Sequence, residues 1–276
     1  MSYSGDGTTN TNGEPVHTHM SHYPDGKSFV EDCVHSKGIA ETAERVCDEA
    51  IRVMKTTPAG VRCSGYTTDN TNTMKAAWKL IEEAQPGSFC QGCVCHVANL
   101  AVNDMNNRIP WMKEVVDIVK DIIFFVYRHH SVLCELKRLN NPDDGPKTTF
   151  LVKPCKTRWG TTNAAVRSVL VNEVNLLKIF DAAFVAAGRT EEDRVKRRLY
   201  RRSLSDPVFI GQLKRCVLMM EPWCAMILRF ETEHVEMSDV YEAFEEMKAT
   251  IADMEGISEE DRVIMEQIRA ERYVNI

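Results

Sequence analysis

The chain has 276 residues, 43% hydrophobic and 27% charged, the make-up of an ordinary globular protein. Its formal net charge of −6 argues against a protein that coats nucleic acid by bulk charge, so any DNA contact must come from local patches. No run approaches the roughly 18 apolar residues of a membrane span, and Met1-Ser2-Tyr3-Ser4-Gly5-Asp6 lacks the basic and apolar regions of a signal peptide.

In chain order, Ser2 to Gly7 reads as a first strand. Val16 to Tyr23 and Ser28 to His35 read as two more, joined by Pro24-Asp25-Gly26-Lys27, with Gly where a turn needs positive φ. Ala43, Val46, Cys47, Ala50, Ile51 and Met54 have helical spacing and predict a helix over Ile39 to Met54, stopped by Pro58 and Gly60. Val61 to Thr68 is the next strand, Met74 to Ala84 a helix ended by Pro86-Gly87, Phe89 to Cys95 a short strand and Val97 to Met105 a helix. After Pro110 the pattern turns helical. Val115, Ile118, Val119, Ile122, Val126 and Leu133 predict one helix over Trp111 to Leu139, up to about 40 Å long at about 1.5 Å per residue. Asn140 to Pro146 is a loop, and Phe150-Leu151-Val152 a candidate short strand. Helices are expected over Thr162 to Ala187, Glu191 to Leu204, Pro207 to Arg229 and Val240 to Met254.

The 10 cysteines are scattered through apolar stretches of a chain large enough to fold without staples. Reduced thiols are therefore expected, which points to nucleus or cytosol.

Three short segments carry the chemistry. Gly65-Tyr66-Thr67-Thr68-Asp69-Asn70-Thr71-Asn72-Thr73-Met74 delivers a carboxylate at the end of a strand, where open α/β sheets collect ligands and catalytic groups. The plain alternative for Asp69 is a cap on the following helix. Cys93-Val94-Cys95-His96-Val97-Ala98-Asn99-Leu100 is a CxxH element running into a helix, and Thr157-Arg158-Trp159 opens another. Upstream lies Gly5-Asp6-Gly7-Thr8.

In that order these segments resemble the hAT superfamily of DNA transposases and the transposase-derived proteins related to it. That family reads Asp-Gly-Trp-Thr at its first acid, Thr-Asp-Asn with a nearby Asn-Met at its second, then Cys-x-x-His-x-Leu-Asn-Leu and later Thr-Arg-Trp. Here Thr8 stands where the family usually has Trp. The resemblance implies an α/β fold: a ribonuclease H-like core over residues 1–110, a mixed sheet flanked by helices. A mainly helical region over 111–276 then resembles the family's insertion. It implies Mg-dependent (or Mn-dependent) DNA strand cleavage and transfer, with Asp6 and Asp69 as catalytic metal ligands and His96 beside them. Hard cations need converging oxygen ligands, which two carboxylates on neighbouring strands supply. Trp159, with Arg158 before it, would stack on a base near the cleavage site; the alternative is a Trp buried at a helix start.

The family's third acid is a Glu on a core helix after the insertion. Glu221, Glu231 and Glu266 are present, none in a matching motif, and the chain ends at Glu271-Arg272-Tyr273-Val274-Asn275-Ile276, about where that segment would be approached. An incomplete, inactive site is the expectation. A second hypothesis is a domesticated, non-catalytic nuclear scaffold for protein partners or a homo-oligomer, and a third is a zinc-binding regulatory domain. Zinc is not predicted at Cys90, Cys93, Cys95 and His96, because no second ligand pair accompanies them. His17 and His19 alternate onto one strand face, but without a carboxylate partner in the pattern they read as chance. Arg194, Arg197, Arg198 and Arg201 share a helical face that could grip phosphate, or more simply a solvated face balanced by Glu191, Glu192 and Asp193.

Overall fold

A computed structural model of the chain describes residues 1–35, 38–58, 61–141, 148–155, 160–232, 235 and 237–274. Among them the fold is α/β, with one five-stranded mixed sheet and twelve helices. The strands are β1 (Ser2–Thr9), β2 (Pro15–His22), β3 (Ser28–His35), β4 (Gly65–Thr68) and β5 (Phe89–Gly92). Their order in the sheet is β3-β2-β1-β4-β5. The first three pair antiparallel as a meander, and β4 and β5 run parallel to β1. The second turn of the meander closes with Gly26 at φ 81°, where Tyr23 N donates to Lys27 O at 2.9 Å.

Helix α1 (Ala43–Met54) begins later than the spacing predicts, because the Thr42 side chain accepts from Arg45 N and caps it there. With α2 (Asn72–Ala84) it covers one face of the sheet, over a core of Tyr3, Cys47, Ala50, Val53, Met54, Cys63, Tyr66, Ile81 and Cys90. Only Gly65–Thr68 of the expected strand 61–68 pairs with a neighbour. The strand expected to reach Cys95 stops at Gly92, since Cys93 already caps α3 (Val94–Arg108) with Val97 N donating to Cys93 O at 3.0 Å.

The single helix expected over 111–139 is two: α4 (Pro110–Arg128) and α5 (His130–Asn140). His129 between them is extended at φ −111° and ψ 97°, with its ring stacked on Phe125 at 3.9 Å and Nδ1 2.8 Å from Phe125 O. No strand forms at 150–152. There Leu151 O accepts from the Tyr127 hydroxyl at 2.7 Å and Val152 N donates to Ser168 Oγ at 3.0 Å, so side chains take the partners a strand would supply. The stretch 162–187 divides into α6 (Thr161–Val171), α7 (Glu173–Ile179) and α8 (Ala182–Ala186), with Asp181 capping the last. Then come α9 (Glu191–Ser205), α10 (Pro207–Phe230), α11 (Met237–Asp253) and α12 (Glu259–Tyr273), the last not anticipated.

The chain forms two compact units. The first joins Met1–Val97 with Phe230–Glu242 and Ala270–Ile276, and holds the sheet. The second joins Ala98–Arg229 with Ala243–Arg269 and is helical. One of its cores gathers Phe125, Phe180, Phe184 and Tyr200, with Arg197 over the Phe184 ring at 4.4 Å. Among the described residues no helix is long and apolar enough to cross a membrane.

Candidate functional site

Parallel pairing of β1 with β4 sets Ser2 against Gly65, Tyr3 against Tyr66 and Ser4 against Thr67. Carried two residues further, the same register brings Asp6 level with Asp69. Strand alternation decides which way each points. Tyr3, Gly5, Tyr66 and Thr68 are buried, with Tyr3 and Tyr66 in the core under α1 and α2, so Asp6 belongs to the other face; Asp69 follows the last residue of β4 and lines a cavity with His17, Glu49 and Met74. Asp6 is exposed and Asp69 half-buried.

Asp69 also serves the start of α2. Its Oδ1 accepts from Thr71 N at 3.1 Å and from Thr71 Oγ1 at 3.0 Å, and Thr71 in turn caps the helix through Met74 N. The capping alternative is thus realised by one of its oxygens. Thr68 holds the approach: its hydroxyl donates to Asp69 O at 2.8 Å and lies 2.8 Å from Trp78 Nε1.

His96 stands in the first turn of α3, half-buried and within electrostatic reach of both acids. Burial lowers its pKa; Asp69 and Asp6 pull upward and Arg272 pushes down, leaving a net depression. The imidazole is therefore neutral near pH 7. Cys93 caps the same helix. A hydrogen bond from Cys95, helped by the backbone N–H groups of His96 and Cys95, brings its thiol down to about 7 against burial and the Asp6 charge. Cys95, which gives that hydrogen bond and is buried, is pushed up instead. Cys90 lies apart on β5, under α2, and burial raises its pKa to about 12. All ten cysteines carry free thiols.

Arg158 and Trp159 lie outside the described residues. The basic stripe on α9 is tied down by its own acids: Arg194 to Glu191 at 2.9 Å, Lys196 to Glu192 at 3.2 Å and Arg198 to Glu191 at 2.5 Å. Arg197 is buried rather than solvated. It pairs with Asp193 at 3.0 Å and donates to Phe184 O at 2.9 Å. Its methylenes and guanidinium are part of the aromatic core.

A second cluster was hidden in the sequence because its members are far apart. His17 and His19 on β2 do have a carboxylate partner, Glu49 of α1, contrary to the reading of the pair as chance. Among the described residues this trio brings three potential ligand atoms within 4.8 Å of one another. One signal was available: Glu49 sits beside the apolar stripe Val46, Ala50, Val53 of an amphipathic helix, an odd place for an acid. No protein-family model matches the chain, and no curated protein matches it.

Proposed function

We propose that the first unit is a ribonuclease H-like core of hAT-transposase ancestry that now acts as a non-catalytic scaffold for nuclear protein partners. The observation that carries this reading is the parallel pairing of β1 with β4, whose register carried on would bring Asp6 level with Asp69, together with the action of both charges on His96. The order of elements supports it too: an antiparallel meander, then helices alternating with strands parallel to β1.

The donor set fits the ancestral Mg²⁺ (or Mn²⁺) in kind but not in number. Asp6 and Asp69 are hard oxygen ligands, and a cation held there would supply Lewis-acid stabilisation of a phosphoryl oxygen. One oxygen of Asp69 is committed to Thr71. Of the three acids weighed as a third ligand, Glu221 is held by Asn163 and Arg167, and Glu266 pairs with Arg269 at 2.7 Å. Glu231 is exposed, and its charge acts on the Cys95 thiol. Two carboxylates hold a strongly hydrated cation poorly without a third group.

The test is a supercoiled-plasmid nicking and strand-transfer assay with Mg²⁺ or Mn²⁺, run beside a DNA-binding titration over salt. No nicking or joining is expected, and duplex affinity should be low and fall steeply with salt. Cleavage that disappears on Asp69→Ala would establish an active enzyme with a third acid within these residues.

A further inference from the structure

The helix-covered face of the sheet holds the trio that the proposed function does not use. His17 and His19 are 8% and 0% exposed and two positions apart on β2, so both rings project to the same side. Their centroids are 4.5 Å apart. Glu49 Oε2 lies 3.3 Å from His17 Nδ1 and 3.7 Å from His19 Nε2. Ligands at about 2.0–2.1 Å from a tetrahedral cation stand about 3.3 Å from one another. The two Glu49 edges are already close to those of a coordination shell, and all three atoms lie within 4.8 Å of one another.

The atoms around the trio divide into those engaged and those left over. Arg45 Nε holds Glu49 Oε1 at 2.8 Å, which turns Oε2 toward the histidines. The Tyr66 hydroxyl is 2.7 Å from His19 Nδ1, which leaves Nε2 of that ring to face Glu49. His19 Nε2 is buried without a hydrogen-bond partner, and so is His17 Nε2. Buried polar atoms are seldom left this way in a folded protein. A proton shared between His17 and Glu49 would explain one short contact, yet it would still leave His19 Nε2, 3.7 Å from Glu49 Oε2, without a hydrogen bond. A cation accounts for it.

We propose that His17 through Nδ1, His19 through Nε2 and Glu49 through Oε2 bind one divalent cation of the zinc class. Two imidazoles and one carboxylate suit a borderline first-row cation and not Mg²⁺, which prefers oxygen alone. Arg45 and Tyr66 are positioning residues: each bonds the atom of its ligand that faces away from the cation. Gly5 makes room for the arrangement, since a Cβ there would collide with the Tyr66 hydroxyl and come within 3.0 Å of His17 Nε2. Three protein ligands leave a fourth position. A cavity of about 380 Å³ lined by His17, Glu49, Arg45, Val16, Asp69 and Met74 opens beside it and gives water a way in.

The experiment is a calorimetric Zn²⁺ titration of the full chain, stripped with chelator and kept reduced, with Co²⁺ absorption as a second reading. One equivalent is expected in the wild-type chain. Glu49→Gln and the double change His17→Gln, His19→Gln should abolish it, and Tyr66→Phe should weaken it about 10- to 100-fold. The cobalt spectrum should lack thiolate charge-transfer bands. Asp6→Ala, at an exposed position outside that cavity, should leave the zinc equivalent in place, which keeps this result separate from the fate of the transposase reading. The proposal is overturned by no binding in the wild type, by an equivalent that survives the double change, or by thiolate bands that move it to the cysteines. If the histidine variants fail to fold, thermal melting decides: zinc should raise the midpoint of the wild type and not of Glu49→Gln.

Discussion

Cys93 and Gly5 show how much a single position depends on neighbours that the sequence does not reveal. The CxxH spacing marks Cys93, but its character comes from the Cys95 thiol and two backbone N–H groups at the start of α3. A group at about 7 is half ionised at neutral pH, and the thiolate fraction falls as pH drops below that value. Alkylation of Cys93 by iodoacetamide, followed peptide by peptide in a mass spectrometer, should therefore reach half its limiting rate near pH 7. Cys90 and Cys216, pushed up to about 12 by burial, should stay unmodified while the fold persists. A Cys93 profile centred at the ordinary thiol value of about 8.5 would mean that the helix start does not act on it. Gly5 reads in the sequence as one small residue of the first strand, with nothing to mark that it is buried between the Tyr66 hydroxyl and His17. Gly5→Ala should cost about 1–3 kcal/mol in urea unfolding, as overpacking generally does.

At the scale of elements, what sequence conveyed was periodicity, and what it concealed was interruption. The meander, α1, α2 and the long C-terminal helices follow their spacing of 2 or 3.6 residues closely. The break at His129 did not show, because the apolar pattern of α4 runs straight on into α5 and the imidazole replaces one turn by stacking on Phe125. Asn172 is similar: it ends α6 while joining Asn140 at 2.7 Å and Thr149 O at 2.8 Å in a buried amide ladder built from three separate stretches. Helix α12 was missed because it is strongly polar, burying only Asp261, Met265, Ile268 and Arg269. Its buried acid has a partner 150 residues away: Trp111 Nε1 of α4 donates to Asp261 at 3.1 Å, while Arg215 covers the indole at 5.0 Å. Trp111→Phe keeps an aromatic ring and removes the donor. It should destabilise the chain by about 1–3 kcal/mol, the usual result of stranding a buried acceptor, with the loss read from chemical denaturation. An unchanged midpoint would mean that Asp261 is stabilised by the N-terminus of its own helix alone.

For the molecule as a whole, the governing fact is that the sheet-bearing unit is discontinuous in sequence. Its second face carries Ser2, Ser4, Thr67 and Gln91 and meets Phe230, Val235 and Val240 around a cavity of about 550 Å³. A fragment of residues 1–97 keeps every strand and loses that cover. It should melt broadly and at lower temperature than the intact chain, and circular dichroism would register this; a sharp transition at the same midpoint would make the returning segments dispensable. Compositional arithmetic gave no warning of such interleaving, since residue content does not record which stretches come back. The discontinuity also has a consequence in time. On the ribosome, five strands emerge first and then wait while roughly 130 residues of helical chain are made. At about 5–20 residues per second that delay lasts on the order of 7–26 s, far longer than a hairpin takes to form. During it, the uncovered side of the sheet and the outer edges of β3 and β5 stand open to any chaperone, or to a sister chain on the same message. This protein's yield on overexpression should accordingly be governed by what happens in that interval, before its stability has any bearing.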